Sequence, residues 1–233
     1  MTEGYDRTTF LLAAGGATVG LALAEGASGA VDRRPKTPSE ALKRLLAGNA
    51  RFVRGKLTSV KAIAERRSDV AAHQKPFAIL LTCADSRVPP EHIFDQSLGH
   101  IFVCRVAGNI LEPHIIGSIE YAVEHFHSPL VMVLGHQRCG AVTDTIKLVK
   151  EGGKAPGSIQ SIIDAIAPVV RATKRGHLGD DAYLDKVIKA NARTVARSIR
   201  QRSKIVSDAV SARKLRVVAA EYSLDSGKVT LLR

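Results

Sequence analysis

The sequence predicts an α/β fold. The expectation is a single domain on a mainly parallel β-sheet, about four parallel strands plus a C-terminal extra strand, flanked by helices. Two observations predict it. Short, nearly unbroken apolar runs at residues 76–82 (PFAILLT), 101–106 (IFVCRV), 130–134 (LVMVL) and 215–220 (LRVVAA) read as strands covered on both faces. Segments with helical spacing separate these runs, and strands alternating with helices make a parallel sheet. No internal repeat or low-complexity linker interrupts residues 37–233, so one domain accounts for them.

Each element has its own signal. Thr37-Pro38-Ser39-Glu40 reads as a helix start, with Thr as cap, Pro in the first turn and Glu completing a capping box. That helix runs through Leu42, Leu45 and Leu46 toward Phe52. Ile116, Ile119, Val123 and Phe126 give helical spacing to residues 115–126. Gly135 is expected to end the third strand. Helices are expected after Gly140, over about residues 158–174 and over most of residues 182–210. A fifth strand, residues 228–232, follows a Ser226-Gly227 turn.

Composition narrows the class. The chain has 233 residues, 45% apolar and 24% charged, which excludes disorder, collagen and coiled coil as descriptions of the whole. Three cysteines are too few for a disulfide scaffold. No long, Gly-poor apolar run suits a polytopic membrane protein. The net charge of +12 gathers partly on the predicted helix over residues 182–210. There Lys186, Lys189, Arg193, Arg197, Arg200 and Lys204 form a basic stripe, with Leu184, Ile188, Val195 and Ile199 on another face. The stripe reads as a solvated helix face, with weak binding to an anionic surface as the alternative. No nucleic acid partner is expected.

Residues 1–30 read as a cleaved export signal, leaving residues 31–233 as the mature domain. The apolar stretch FLLAAGGATVGLALA at residues 10–24 is short and Gly-rich, and Ser28 and Ala30 suit cleavage before Val31. The segment around Arg7 resembles a twin-arginine signal in which Thr8 replaces the second arginine. The expected destination is the bacterial periplasm.

The candidate chemistry sits where strands end. Cys83 directly follows the first strand, and His136 follows the third. In open parallel sheets, ligands bind beyond the carboxyl ends of the strands, where the strand order reverses. Cys139, three residues after His136, stands at the start of a helix, where a thiolate is favoured. Cys83, His136 and Cys139 thus form a candidate three-ligand metal set. Catalytic zinc sites keep three protein ligands and one open place, whereas structural ones usually close with four. Cys104 lies inside the second strand and reads as core. Asp85 and Arg87, two apart in one loop, can pair bidentately, so that Arg87 keeps Asp85 ionised and oriented.

The full pattern is CADSRVPPE at residues 83–91, VAGN at 106–109, GSIEYAV at 117–123 and GHQRCGAV at 135–142. It resembles the β-class carbonic anhydrases over roughly residues 37–233, the late LRVVAAEYSLDSGKVTLL segment included. The resemblance implies Zn²⁺ held by Cys83, His136 and Cys139, and an Asp85–Arg87 dyad. It implies reversible hydration of CO₂ to bicarbonate by zinc-bound hydroxide, in a homodimer or homotetramer. In closed members of the family the dyad Asp, here Asp85, is itself a fourth metal ligand. Some closed members also carry a bicarbonate pocket containing Trp, and this chain has none. Gln96 is the expected counterpart of a family Gln near the substrate. The proton shuttle is left open among His92, His100, His114, His125 and His127. Two other functions share the scaffold: hydrolysis of CS₂ or carbonyl sulfide, and a non-catalytic zinc-dependent binding module. The intact dyad argues against the second. A thiol redox protein is disfavoured because no CxxC is present.

Overall fold

A computed structural model of the chain describes residues 33–58 and 60–233. The expected export signal lies outside the described residues.

Helix α1 (Pro38–Val53) begins as its sequence demands. The Thr37 hydroxyl accepts from the Glu40 amide at 3.2 Å, and the Glu40 carboxylate accepts from the Thr37 amide at 3.2 Å. Caps of this kind stabilise a helix by about 1 kcal/mol. Helix α2 (Val60–Val70) follows, in a stretch to which the sequence patterns assign no element. Strand β1 (Ala78–Thr82) is buried at every position, as its unbroken apolar run requires. A short helix α3 (Pro90–Ile93) leads to β2 (Ile101–Arg105), and a 3₁₀ turn at Ala107–Asn109 leads to α4 (Pro113–Phe126). Then come β3 (Leu130–His136), α5 (Gly140–Glu151), α6 (Ile159–Ala172), α7 (Asp180–Arg202), α8 (Lys204–Ser211), β4 (Arg216–Tyr222) and β5 (Val229–Leu232).

The strands form one sheet in the order β2-β1-β3-β4-β5. The first four are mutually parallel, and β5 runs antiparallel to β4. Side chains alternate between its faces. Leu80, Met132, Leu134, Ala220 and Tyr222 pack against Ala41 and Leu45 of α1 and against Phe94. Ile79, Leu81, Val131, Val133 and Ala219 pack against α4, α7 and α8. Cys104 is buried in this second cluster, as expected, and burial raises its thiol to about 11.

Two expectations are corrected. Gly135 does not end β3. Pairing with β4 continues through Gly135 opposite Glu221 and His136 opposite Tyr222, so His136 is itself a strand residue. A Cβ on Gly135 would lie 3.3 Å from Ile188 Cγ2, so the glycine allows α7 to lie close to the strand. The helix expected over residues 182–210 is broken at Ser203, whose backbone is extended (φ −116°, ψ 114°). Its hydroxyl accepts from the Val206 amide and donates to Glu120 Oε1 at 2.6 Å, so one side chain caps α8 and ties it to α4.

The basic stripe, five residues on α7 and Lys204 on α8, is largely occupied. Lys186 donates to the Lys174 carbonyl, Arg193 to the Arg233 carbonyl, and Lys204 pairs with Asp208. Lys189 turns inward between Asp185, at 2.6 Å, and Glu221 of β4, at 3.3 Å. Glu221 is buried, and its Oε1 has no hydrogen-bond partner. Burial, with the adjacent Asp185 carboxylate, pushes the Glu221 carboxyl up to about 7, against the opposing pull of Lys189. A carboxyl raised in the folded state binds its proton more tightly there than in the unfolded chain. Stability therefore falls as pH rises from the ordinary carboxylate range through about 7. Glu221→Gln, which cannot ionise, is expected to flatten this dependence. Its melting temperature should exceed wild type by a few degrees at pH 8 and match it near pH 4, as thermal unfolding monitored by circular dichroism will check.

Candidate metal centre

The site is built at the switch point of the sheet. From β1 the chain passes to β2 on one side, and then to β3 on the other. A crevice opens at the C-terminal ends of β1 and β3 in such an arrangement. These strands are parallel neighbours, with Thr82 level with Leu134. Cys83 is the first residue beyond β1, and His136 is the last of β3. The chain then turns through Arg138, whose backbone is left-handed (φ 52°), and reaches Cys139 at the N-terminus of α5. Cys83, His136 and Cys139 are all buried, and their ligand atoms lie within 4.8 Å of one another. The cysteines are free thiols.

The histidine is aimed. Its Nδ1 lies 2.9 Å from the Gln137 carbonyl oxygen. That oxygen can only accept, so Nδ1 carries the proton and Nε2 presents a lone pair. Nε2 is buried with no hydrogen-bond partner. Leaving such a group unmet costs about 1–3 kcal/mol. Two thiols and one unsatisfied imidazole nitrogen form a donor set suited to a borderline-soft cation such as Zn²⁺. The residues present fit the ion the sequence pattern implies.

Electrostatics prepare the same group. A hydrogen bond from Cys139 draws the Cys83 thiol down to about 4 against the opposing effect of burial. His136 and the backbone N–H groups of Asp85 and Gly108 add to the fall. The bond to Cys83 and burial push Cys139 up. The pair thus shares one hydrogen bond, which favours ionisation at Cys83 and opposes it at Cys139.

Asp85 and Arg87 stand beside the group. Arg87 Nε donates to Asp85 Oδ1 at 2.9 Å and Nη2 to Oδ2 at 2.7 Å, and the Arg87 amide adds a bond to Oδ1 at 2.9 Å. The Arg87 hydrogen bonds hold the Asp85 carboxyl down at about 2, so it is an acceptor throughout the neutral range. Asp85 Oδ2 lies 3.8 Å from His136 Nε2.

Three further residues set this geometry without appearing among the sequence candidates. Arg105, the last residue of β2, donates to the Cys83 carbonyl at 3.1 Å and to the Asp85 carbonyl at 2.6 Å. Its guanidinium thereby braces the segment that carries both the thiolate and the dyad. Gly108 donates its N–H to Cys83 Sγ at 3.3 Å, and Asn191 of α7 holds the Gly108 carbonyl at 2.9 Å. The signals were present in the sequence: an arginine closing an apolar strand, a glycine after a strand end, and an asparagine in the apolar stripe of a helix.

Gln96 is bonded elsewhere. Its carbonyl accepts from Arg44 of α1 at 3.1 Å, and its amide donates to the Phe94 carbonyl at 2.7 Å. Both ends serve the contact between α1 and the loop after α3. There Gly48 approaches so closely that a Cβ on it would fall 1.7 Å from the Phe94 oxygen. Of the candidate shuttle histidines, His100 lies against Arg44 and His125 packs at a tilt against Tyr121, with ring centroids 4.3 Å apart.

Comparison with known proteins agrees with this geometry. The family model described as carbonic anhydrase matches residues 78–229. Carbonic anhydrase 2 of Mycobacterium tuberculosis is 36% identical over 194 residues, covering 83% of this chain and 92% of its own. The β-carbonic anhydrase of Coccomyxa, solved with acetazolamide, superposes with a TM-score of 0.65 at 27% identity, over 82% of this chain and 86% of that one. A structure from the work on two tetrameric β-carbonic anhydrases of Sordaria macrospora has the same fold, with a TM-score of 0.66 at 20% identity over 82% of this chain and 96% of that one. A matching core, the order of the strands and three converging ligand residues lead to one conclusion: this chain belongs to the β-carbonic anhydrase family.

Proposed function

We propose that this protein catalyses the reversible hydration of CO₂ to bicarbonate and a proton at a Zn²⁺ ion held by Cys83, His136 and Cys139. The observation that carries the reading is the position of Asp85, an ionised carboxylate fixed beside the orphaned His136 Nε2. A purely structural metal would have no use for it. When bound, zinc would supply Lewis acidity that lowers the pKa of water, by less than in an all-histidine site because two thiolates donate more charge. The chain supplies the rest. Cys83, Cys139 and His136 Nε2 provide three donors, and His136 is held in the right tautomer by the Gln137 carbonyl. Asp85 accepts a hydrogen bond from the attacking oxygen and orients it toward the carbon of CO₂. Arg87 keeps Asp85 charged and in place, and both Asp85 oxygens are already bonded to it. That engagement favours an open fourth position over ligation by Asp85.

We further propose that the protein works as a homodimer or homotetramer. Strand β2 is a sheet edge with no partner on its outer side among the described residues, and Phe102 and half-exposed Tyr121 stand beside it. The tetrameric state reported for the Sordaria enzymes supports this reading. Residues 1–30 are proposed as the export signal.

Stopped-flow CO₂ hydration by the zinc-loaded protein tests the function. Hydration is expected, with loss on chelation and recovery on adding Zn²⁺. No hydration from neutral to alkaline pH, with zinc bound and thiols reduced, overturns it. Cys83→Ala and His136→Ala should each fail to retain stoichiometric zinc by elemental analysis. Asp85→Asn should retain zinc and lose about 10²-fold or more in kcat/KM, as expected for a group acting on the proton of the nucleophile. Full activity in Asp85→Asn would remove Asp85 from the mechanism.

A further inference from the structure

Helix α7 backs the metal group. Tyr183, Val187 and Ile188 pack in one cluster with Cys83, Cys139, Ile110 and Ile166. One turn further along the same buried side lies Asn191, only 2% exposed. An amide buried among apolar side chains loses its hydration and must find a partner. Asn191 Nδ2 finds the carbonyl of Gly108 at 2.9 Å. Gly108 is itself tightly placed. Its φ is +68°, and a Cβ there would lie 2.6 Å from Ile166 Cδ1. Its N–H donates to Cys83 Sγ at 3.3 Å. The two contacts hold the peptide planes on either side of the Gly108 Cα, and its close packing against Ile166 couples the Asn191 bond to the direction of the Gly108 N–H.

We infer that Asn191 is a positioning residue for the Cys83 thiolate, acting through Gly108, and that it sets how firmly the site retains its metal. The physical chain is short. Without the amide, the Gly108 carbonyl is buried with that acceptor unmet, and residues 107–109 rotate to satisfy it. The N–H then leaves the sulfur, which loses a donor that stabilises its charge and directs its lone pairs. Groups that hold a metal ligand from behind commonly contribute 10- to 100-fold to metal affinity. Asn191 is remote in sequence from every ligand and touches neither substrate nor metal, so its effect must appear in the behaviour of the sulfur.

The inference rests on the zinc reading above, and the test separates the two. Zinc transfer from the full protein to a chromophoric chelator is compared for wild type, Asn191→Leu and Asn191→Ser. Leucine keeps the volume and removes the donor, whereas serine carries a hydroxyl too short to reach. Either variant that folds carries the test. Val195→Ala is the control, because Val195 is buried on the same helix but in the cluster under α4 and α8. Loss of the Gly108 contact should speed zinc transfer about tenfold. It should also shift the thiolate-to-cobalt charge-transfer band of the Co²⁺-substituted protein. Val195→Ala should lower the melting temperature yet leave transfer rate and band at wild-type values. Asn191 variants with wild-type zinc transfer and an unmoved band overturn the inference alone, as does an equal effect in Val195→Ala. Wild-type protein that takes up no zinc overturns the metal reading and this inference with it.

Discussion

Everything at this site depends on the adjacency of β1 and β3 in a parallel sheet. Parallel neighbours end on the same side, and their register sets how far each protrudes. Thr82 is level with Leu134, so Cys83 follows almost beside Gly135 and His136. Strand order reverses at this pair, which opens the crevice that the metal group occupies. Two ligands 53 positions apart in sequence are thereby brought together by backbone hydrogen bonds alone. The third needs only the tight turn through Arg138 to reach the N-terminus of α5.

Around that framework the polar groups are placed by directional hydrogen bonds, buried at the Cys83 sulfur and increasingly exposed toward the Asp85–Arg87 ion pair. Arg105 braces the carbonyls of Cys83 and Asp85, Arg87 grips the Asp85 carboxylate, and Gly108 meets the Cys83 sulfur. Each bond removes one degree of freedom from an irregular loop that would otherwise be mobile. A catalytic loop has to be held by something outside itself, because its own backbone has no ladder to join. Here the support comes from the end of β2, the 3₁₀ turn and α7. Preorganisation of this kind lets the dyad act without rearrangement when the nucleophile forms.

Helix α7 links the site to a second, partly buried polar cluster. One of its faces packs behind Cys83 and Cys139, and another turns Asp185 and Lys189 toward Glu221 on β4. Ile188 and Ala192 lie against Gly135, immediately before His136. The inward turn of Lys189 shows how tertiary structure redirects a surface pattern. In sequence it belongs to an evenly spaced basic stripe. In the fold it is neutralised beside two carboxylates, and among the described residues Arg197 and Arg200 keep exposed charges without an ion-pair partner.

The sequence by itself determined the fold class, the five strands within one or two residues, the cap of α1 and the residues that converge as the metal group. These are legible because they rest on local signals: unbroken apolar runs, Thr37 with Glu40, and reactive residue types at strand ends. What only the tertiary structure decided depends on partners distant in the chain. His136 belongs to β3 because β4 pairs with it, although Gly135 alone reads as a stop. Ser203 breaks a helix whose apolar spacing runs on past it, because Glu120 and the Val206 amide both claim its hydroxyl. Gln96, expected near the substrate from the family resemblance, is bonded instead to Arg44 and the Phe94 carbonyl where α1 approaches at Gly48. The local signals at Arg105, Gly108 and Asn191 do not say which partner each will meet, since a hydrogen bond across 20 to 83 positions is decided by folding and not by spacing. Periodicity encodes which face of an element is apolar. Which atom on another element that face meets is encoded only in the packed whole.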